Sequence, residues 1–186
     1  MTDKKTVGII AGSLRRDSFS RKVAQYLGGL LEEKFDVKIL DIGDLALYNE
    51  DLDNEEGMPR EWRSFRQAVG ALDAVLFVTP EYNRSVPGAL KNALDVASRP
   101  YAENAWSGKP GAVVSVSPGP IGGFGSSAHL RQIATCLNIY MMQRPETYLG
   151  GIAASVDDSG VSGAGLREVL QKFADAYTDW VGRFTV

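Results

Sequence analysis

The sequence predicts an α/β fold, a doubly wound parallel sheet of five strands with helices on both faces. Three observations predict it. Short β-rich apolar runs recur along the chain, amphipathic helical patterns fill the intervals between them, and turn residues bound each run. The 186 residues are expected to form one domain, 1–186, a length that supports one full hydrophobic core.

The elements follow in order. Val7–Ile10, Val37–Leu40, Ala74–Val78 and Ala112–Val116 are brief, β-rich and flanked by turn residues, as buried parallel strands should be. A weaker fifth run is Ile139–Met142, with a possible extension over Tyr148–Ile152. Val23, Ala24, Leu27, Leu30 and Leu31 mark one helical face, in a helix that begins near Ser18. A second helix fits Glu61–Val69, and a third carries Ala89, Leu90, Ala93, Leu94 and Ala97 behind Pro87, which suits a first helical turn. Ser127–Leu137 gives a fourth, and the stripe Leu166, Val169, Leu170, Phe173, Tyr177 and Trp180 a fifth. Five strands in one domain favour the flavodoxin-like order 2-1-3-4-5 over the six-stranded dinucleotide fold. Ligands then bind beyond the carboxyl ends of the strands, at the switch point between strands 1 and 3. Three loops meet there: Gly12–Asp17, Pro80–Pro87 and Ser117–Gly125.

Composition narrows the function. Hydrophobic residues make up 44% and charged residues 23%, and the net charge of -3 offers no general attraction to nucleic acid or anionic lipid. No nucleic-acid or membrane partner is expected. No run approaches a membrane span and no leader pattern follows the start, so a cytoplasmic protein is expected. Cys136 is the single cysteine and His129 the single histidine, which is unpromising for a transition-metal site; none is expected. No Gly-x-Ser-x-Gly elbow supports a hydrolase. Cys136 reads as a buried small hydrophobe and His129 as a packing or interface residue. The acidic stretch Asn49–Gly57 reads as solvated surface, and Arg99–Trp106 as an exposed aromatic segment suited to association.

The first loop reads Gly12-Ser-Leu-Arg-Arg-Asp-Ser-Phe-Ser20. A helix that starts near Ser18 turns free N–H groups and the positive end of its dipole toward the switch point. Ser13, Ser18 and Ser20 add hydroxyls, and Arg15 or Arg16 adds a fork that matches phosphate. The spacing Gly-x-Gly-x-x-Gly that a pyrophosphate needs is absent, so a mononucleotide phosphate fits better. Read without a ligand, the same residues make a capped helix with solvated arginines. In the second loop Pro80 ends the strand, and Glu81, Tyr82 and Asn83 form a turn along which a flat heteroaromatic ring could lie; a plain β-to-α turn is the alternative. In the third, Ser117-Pro-Gly-Pro-Ile-Gly-Gly-Phe-Gly125, glycines allow close approach to a ligand or positive φ. Phe124 could form a pocket wall.

Taken together, Gly12-Ser-Leu-Arg15 with Ser18 and Ser20, Pro80-Glu-Tyr-Asn83, Ser85-x-Pro-Gly88 with Leu90-Lys-Asn92 and Asp95, and Gly122-Gly123 before His129-Leu-Arg-Gln132 resemble the NAD(P)H-dependent FMN reductases. Within that family they are most similar to the bacterial chromate and quinone reductases. The resemblance covers almost the whole chain. It implies non-covalent FMN, with Ser13, Arg15, Ser18 and Ser20 on the phosphate, and Pro80, Glu81, Tyr82 and Asn83 on the isoalloxazine ring. Ser117 would contact the flavin from the other side. Many relatives carry Asn where this chain has Ser20. Arg84, Arg99 and Phe124 are expected near the substrate.

The resemblance implies NADPH or NADH as hydride donor, and quinones, chromate and similar oxyanions, or free flavin as acceptors; a single open ring face that donor and acceptor must share predicts two-electron transfer in a ping-pong scheme. The cofactor carries that chemistry and no catalytic side chain is required. A homodimer or homotetramer is implied as well. The competing function is a non-enzymatic flavodoxin-like electron carrier, against which the modest net charge and the lack of a Thr-rich phosphate loop argue.

Overall fold

A computed structural model describes residues 4–184. Its main sheet runs β2 (Asp36–Leu40), β1 (Thr6–Ala11), β3 (Ala74–Pro80), β4 (Pro110–Val116) and β5 (Tyr140–Met141), with every pairing parallel. The order is the predicted 2-1-3-4-5. The fifth position is divided, because a second short strand, β6 (Thr147–Leu149), also pairs with β4. β5 takes the register of Pro110 and Gly111, and β6 that of Val114 to Val116. Pro145 lies between them and has no N–H to give a ladder. The expected extension to Ile152 stops at Leu149, and Ile152 opens a short 3-10 turn instead.

Alternation along the strands feeds two layers. Val7, Ile9, Leu76 and Val114 meet α1 (Phe19–Leu31) and α5 (Ala164–Gly182), whose Leu27, Phe173 and Tyr177 are fully buried. Ile10, Val75, Phe77 and Val113 meet α2 (Arg60–Gly70), α3 (Gly88–Ala97) and α4 (Phe124–Cys136) through Trp62, Leu94 and Leu130. Each such side chain contributes about 1.5–3 kcal/mol on burial. The central strands β1, β3 and β4 are mostly apolar because both faces are covered, whereas the edge strand β2 carries Asp36 and Lys38 and is largely exposed.

Three sequence expectations need correction. Trp106 is buried although residues 100–103 before it are exposed: it has no exposed surface, its indole N–H donates to the Leu94 carbonyl at 3.0 Å, and it packs against Phe65 and Phe77. Cys136 is exposed. The buried face of α4 is Ser126, Ser127, Leu130 and Ala134, and Cys136, two residues past Ala134, points about 200° round the helix from it. The acidic loop is exposed as expected except at Asp53, which anchors it. Arg66 grips both carboxylate oxygens of Asp53, at 2.7 and 2.8 Å, and the Tyr48 hydroxyl donates to Asp53 at 3.2 Å. That guanidinium holds the Asp53 carboxyl below its ordinary value. Among the described residues, no helix is long and apolar enough to cross a membrane.

Candidate functional site

The chain leaves β1 toward β2 on one side and later enters β3 on the other, which opens a crevice between the carboxyl ends of β1 and β3. A cleft of about 250 Å³ occupies it. The first loop brings Ser13, Arg15, Ser18 and Ser20 to this cleft; the second brings Pro80, Glu81 and Tyr82; the third brings Ser117 and Pro118. Eight of the expected site residues therefore converge.

The floor is a hydroxyl cluster at the start of α1. Ser13, Ser18 and Ser20 are 3%, 4% and 1% exposed, so each hydroxyl has little access to bulk water. Ser18 caps α1 by accepting from the Arg21 amide at 3.1 Å, and its oxygen lies 3.3 Å from that of Ser20. The helix-cap alternative for Ser18 is thus realised, and the cap leaves its O–H free to donate elsewhere. With the amides of Arg21 and Lys22 taken by Ser18, those of Phe19 and Ser20 keep no acceptor within the helix. Arg15 stands at the edge, exposed, with one guanidinium nitrogen 3.0 Å from the Asp17 carbonyl. Arg16 is exposed and does not line the cleft. Three hydroxyls, two amides, a helix N-terminus and one guanidinium make a donor set that suits a phosphate dianion.

The second wall is a two-residue turn. Tyr82 and Ser85 exchange backbone hydrogen bonds of 3.0 Å in both directions, and Asn83 and Arg84 between them have φ of 51° and 67°. Asn tolerates this left-handed region and Arg does so at a cost. Glu81 lines the cleft, yet its carboxylate is already engaged. Oε2 accepts from the amides of Gly125 at 2.7 Å and Ser126 at 3.2 Å, at the start of α4. Any contact it offers a flat ring would come from its backbone.

The third wall begins at Ser117, whose amide donates to the Leu149 carbonyl at 2.9 Å while its Oγ accepts from Gly119 at 3.1 Å. Two of the glycines beyond it serve the chain itself. Gly122 and Gly123 have φ of 67° and 81°, and a Cβ on Gly122 would sit 2.6 Å from the Tyr148 carbonyl carbon. Phe124 opens α4 and is half exposed, packed edge-on against Tyr148 with ring centres 5.4 Å apart. It does not line the cleft. Burial, then a hydrogen bond to Glu146, raises the Tyr148 phenol above its ordinary value, so it stays protonated.

Arg99 departs from expectation. It follows α3, at the end of the sheet opposite the strand carboxyl ends, with its guanidinium 4.7 Å over the Tyr101 ring. The α3 that leads from the cleft to that position is ten residues long, about 15 Å of separation. Larger hollows exist, one of about 410 Å³ along β2 and α2. Asp41, Asp44 and Glu61 line it with Arg60 and Ser64, a mainly acidic lining unlike the hydroxyl cluster. Among the described residues, no three His, Cys, Asp or Glu side chains are grouped to share a metal ion.

The profile of a protein family described as NADPH-dependent FMN reductase matches residues 5–154. The chain belongs to that family. A quinone reductase of Pseudomonas putida is 53% identical over 181 residues, covering 97% of each chain. A 2-hydroxy-1,4-benzoquinone reductase of a Burkholderia species is 43% identical over 176 residues, 94% of this chain and 95% of that one. Among solved structures, the flavoenzyme NAD(P)H:(acceptor) oxidoreductase FerB of Paracoccus denitrificans superposes with a TM-score of 0.89 at 40% identity, covering 96% of this chain and 98% of that one.

For a member of this family, sequence reasoning missed two contacts that shape the site. Glu81 reaches amides 44 and 45 residues along the chain, a separation no local pattern reveals. Asn92 faces away from the cleft, donating to the carbonyls of Leu45 and Ala46 and accepting from the Tyr48 amide, so it secures the loop after β2.

Proposed function

We propose that the protein is an FMN-dependent NAD(P)H:quinone oxidoreductase. The single observation that carries this reading is the buried hydroxyl cluster of Ser13, Ser18 and Ser20 at the start of α1 with Arg15 beside it, set opposite the Pro80–Tyr82 wall. FMN bound there supplies two-electron redox chemistry between a nicotinamide and an acceptor. The chain supplies the rest. Ser13, Ser18, Ser20 and Arg15 hold the phosphate as a dianion. Pro80, the Glu81 backbone, Tyr82 and Asn83 meet the ring on one side, and Ser117 on the other. No side chain has to move a proton, which agrees with a cleft whose one carboxylate, that of Glu81, is committed to α4.

The same reading takes quinones as acceptors, in keeping with the names of the relatives, and adds free flavin and chromate. Arg84 supports the oxyanion. Its side chain is 74% exposed and only loosely paired with Glu81, at 3.4 Å. Arg99 keeps no direct part in one chain, given its distance from the cleft, and Phe124 does not line the cleft. Nicotinamide and acceptor take turns over one site in a ping-pong scheme. A cytoplasmic homodimer or homotetramer completes the proposal, and the exposed Tyr101, at 82%, supports an association surface.

The test uses the purified protein supplied with FMN. Addition of NADPH or NADH under anaerobic conditions bleaches the visible absorbance directly, and a quinone restores it. A protein that bleaches only when a separate reductase is added is an electron carrier, and the proposal falls.

A further inference from the structure

We infer that helix α4 is the platform that sets the turn Tyr82–Ser85, and that His129 and Gly125 are positioning residues for the flavin ring site. The inference rests on the proposal that this turn meets the flavin.

The turn is not self-sufficient. Asn83 and Arg84 both lie in the left-handed region, and a bulky residue such as Arg persists there only when its surroundings over-determine it. The surroundings come from one helix face, at three points. Glu81 Oε2 accepts from the Gly125 and Ser126 amides at 2.7 and 3.2 Å. The carbonyl of Arg84 lies directly on Gly125, where an added Cβ would stand 2.8 Å from the Arg84 oxygen and 3.0 Å from Glu81 Oε2. One helical turn further on, His129 Nδ1 is 2.9 Å from Ser85 Oγ. Residues 125 and 129 are four apart and share a face of α4, so the turn is pinned at its beginning, middle and end.

This gives His129 a role that the cleft chemistry does not. It does not line the cleft, and its contact is with the last residue of the turn, so its effect on the flavin passes through Ser85. Gly125 acts by having no side chain. The carbonyl it faces is backbone and cannot swing aside without reshaping the turn. The same contact fixes the Arg84 backbone, from which its exposed side chain leaves at the rim.

The experiment compares apoproteins of the wild type, His129→Ala, Ser85→Ala, the double variant and Gly125→Ala. FMN dissociation constants come from flavin fluorescence, and the visible circular dichroism of the bound flavin reports its surroundings. Thermal midpoints identify any variant that fails to fold. His129 is exposed, so His129→Ala and Ser85→Ala should each weaken FMN binding only about twofold to threefold, the low end for one hydrogen bond, with the same change in dichroism. The double variant should be no weaker than either single one, because both remove the same interaction. Gly125→Ala should shift the dichroism most. Wild-type binding and dichroism in both single variants would overturn the inference, as would losses that add in the double variant. Should His129→Ala not fold, Ser85→Ala and Gly125→Ala decide by the same readouts. A wild type that takes up no FMN would fail at the first titration and overturn the flavin reading together with this one.

Discussion

The hydroxyl oxygens of Ser13 and Tyr82 lie 3.2 Å apart, a bridge between the loop after β1 and the turn after β3. The two partners are unequal. Ser13 is buried and belongs to the hydroxyl cluster, whereas Tyr82 is 47% exposed. Ser13→Ala should weaken FMN binding by about 1 kcal/mol, the loss of one donor with no water to replace it. Tyr82→Phe should change it by less than about 0.5 kcal/mol, since the exposed phenol exchanges its partner for solvent. Titration of both apoproteins separates them, and a larger loss in Tyr82→Phe would shift the weight from the socket to the bridge.

The two arginines of the first loop should behave differently although they are neighbours. Arg15 lines the cleft and Arg16 does not. Arg15→Ala should weaken FMN binding by about 1.5–3 kcal/mol if it holds the phosphate by charge-assisted hydrogen bonds. Arg16→Ala should cost much less. Raised salt should shrink the difference, because exposed charges are screened within about 10 Å at 0.1 M. Equal losses would mean that neither arginine is specific.

Away from the cleft, the Arg66–Asp53 pair should stabilise the fold in a pH-dependent way. The side chains are only 11% and 7% exposed, and Asp53→Ala should destabilise the protein by about 2–3 kcal/mol through loss of a charge-assisted pair. Arg66 lowers the Asp53 pKa in the folded state, so the unfolded chain takes up the proton first as pH falls. The contribution is fully present above the ordinary carboxylate value and lost as pH drops through the lowered folded value. Urea midpoints of wild type and Asp53→Asn should therefore differ at neutral pH and converge in acid. A gap that stays constant from neutral to acid pH would rule this out.

Steady-state kinetics test the shared site. Varying NADPH at several fixed quinone concentrations should give parallel double-reciprocal lines. Intersecting lines, with a ternary complex shown by binding, would mean that donor and acceptor sit in the protein together.

Much of this was legible in the sequence, and the reasons are physical. The central strands are short apolar runs because the parallel sheet is covered on both faces there, and that signal survives in Val7–Ile10 or Ala74–Val78 without any partner in view. The switch point followed from order alone, and it brought Ser13, Arg15, Ser18, Ser20, Pro80, Glu81, Tyr82 and Ser117 together. What stayed hidden depends on tertiary contact. The burial of Trp106 needs Phe65 and Phe77 from other elements, and the exposure of Cys136 depends on which face of α4 the sheet selects. Arg99 resembled a substrate-side cation until α3 carried it to the other end of the sheet. The sequence groups Glu81 with Pro80 and Tyr82 as an expected ring contact; its carboxylate instead answers amides on a helix that begins more than forty residues later.

The central claim is that the hydroxyl cluster at the start of α1 holds the phosphate of a flavin mononucleotide. The most direct measurement is to reconstitute the purified protein with flavin, remove the excess, release the bound cofactor by heat and identify it by chromatography. The account predicts FMN in a one-to-one ratio with the chain, and little retention of riboflavin, which lacks the phosphate. Bound FAD, riboflavin held as tightly as FMN, or no retained flavin would contradict it.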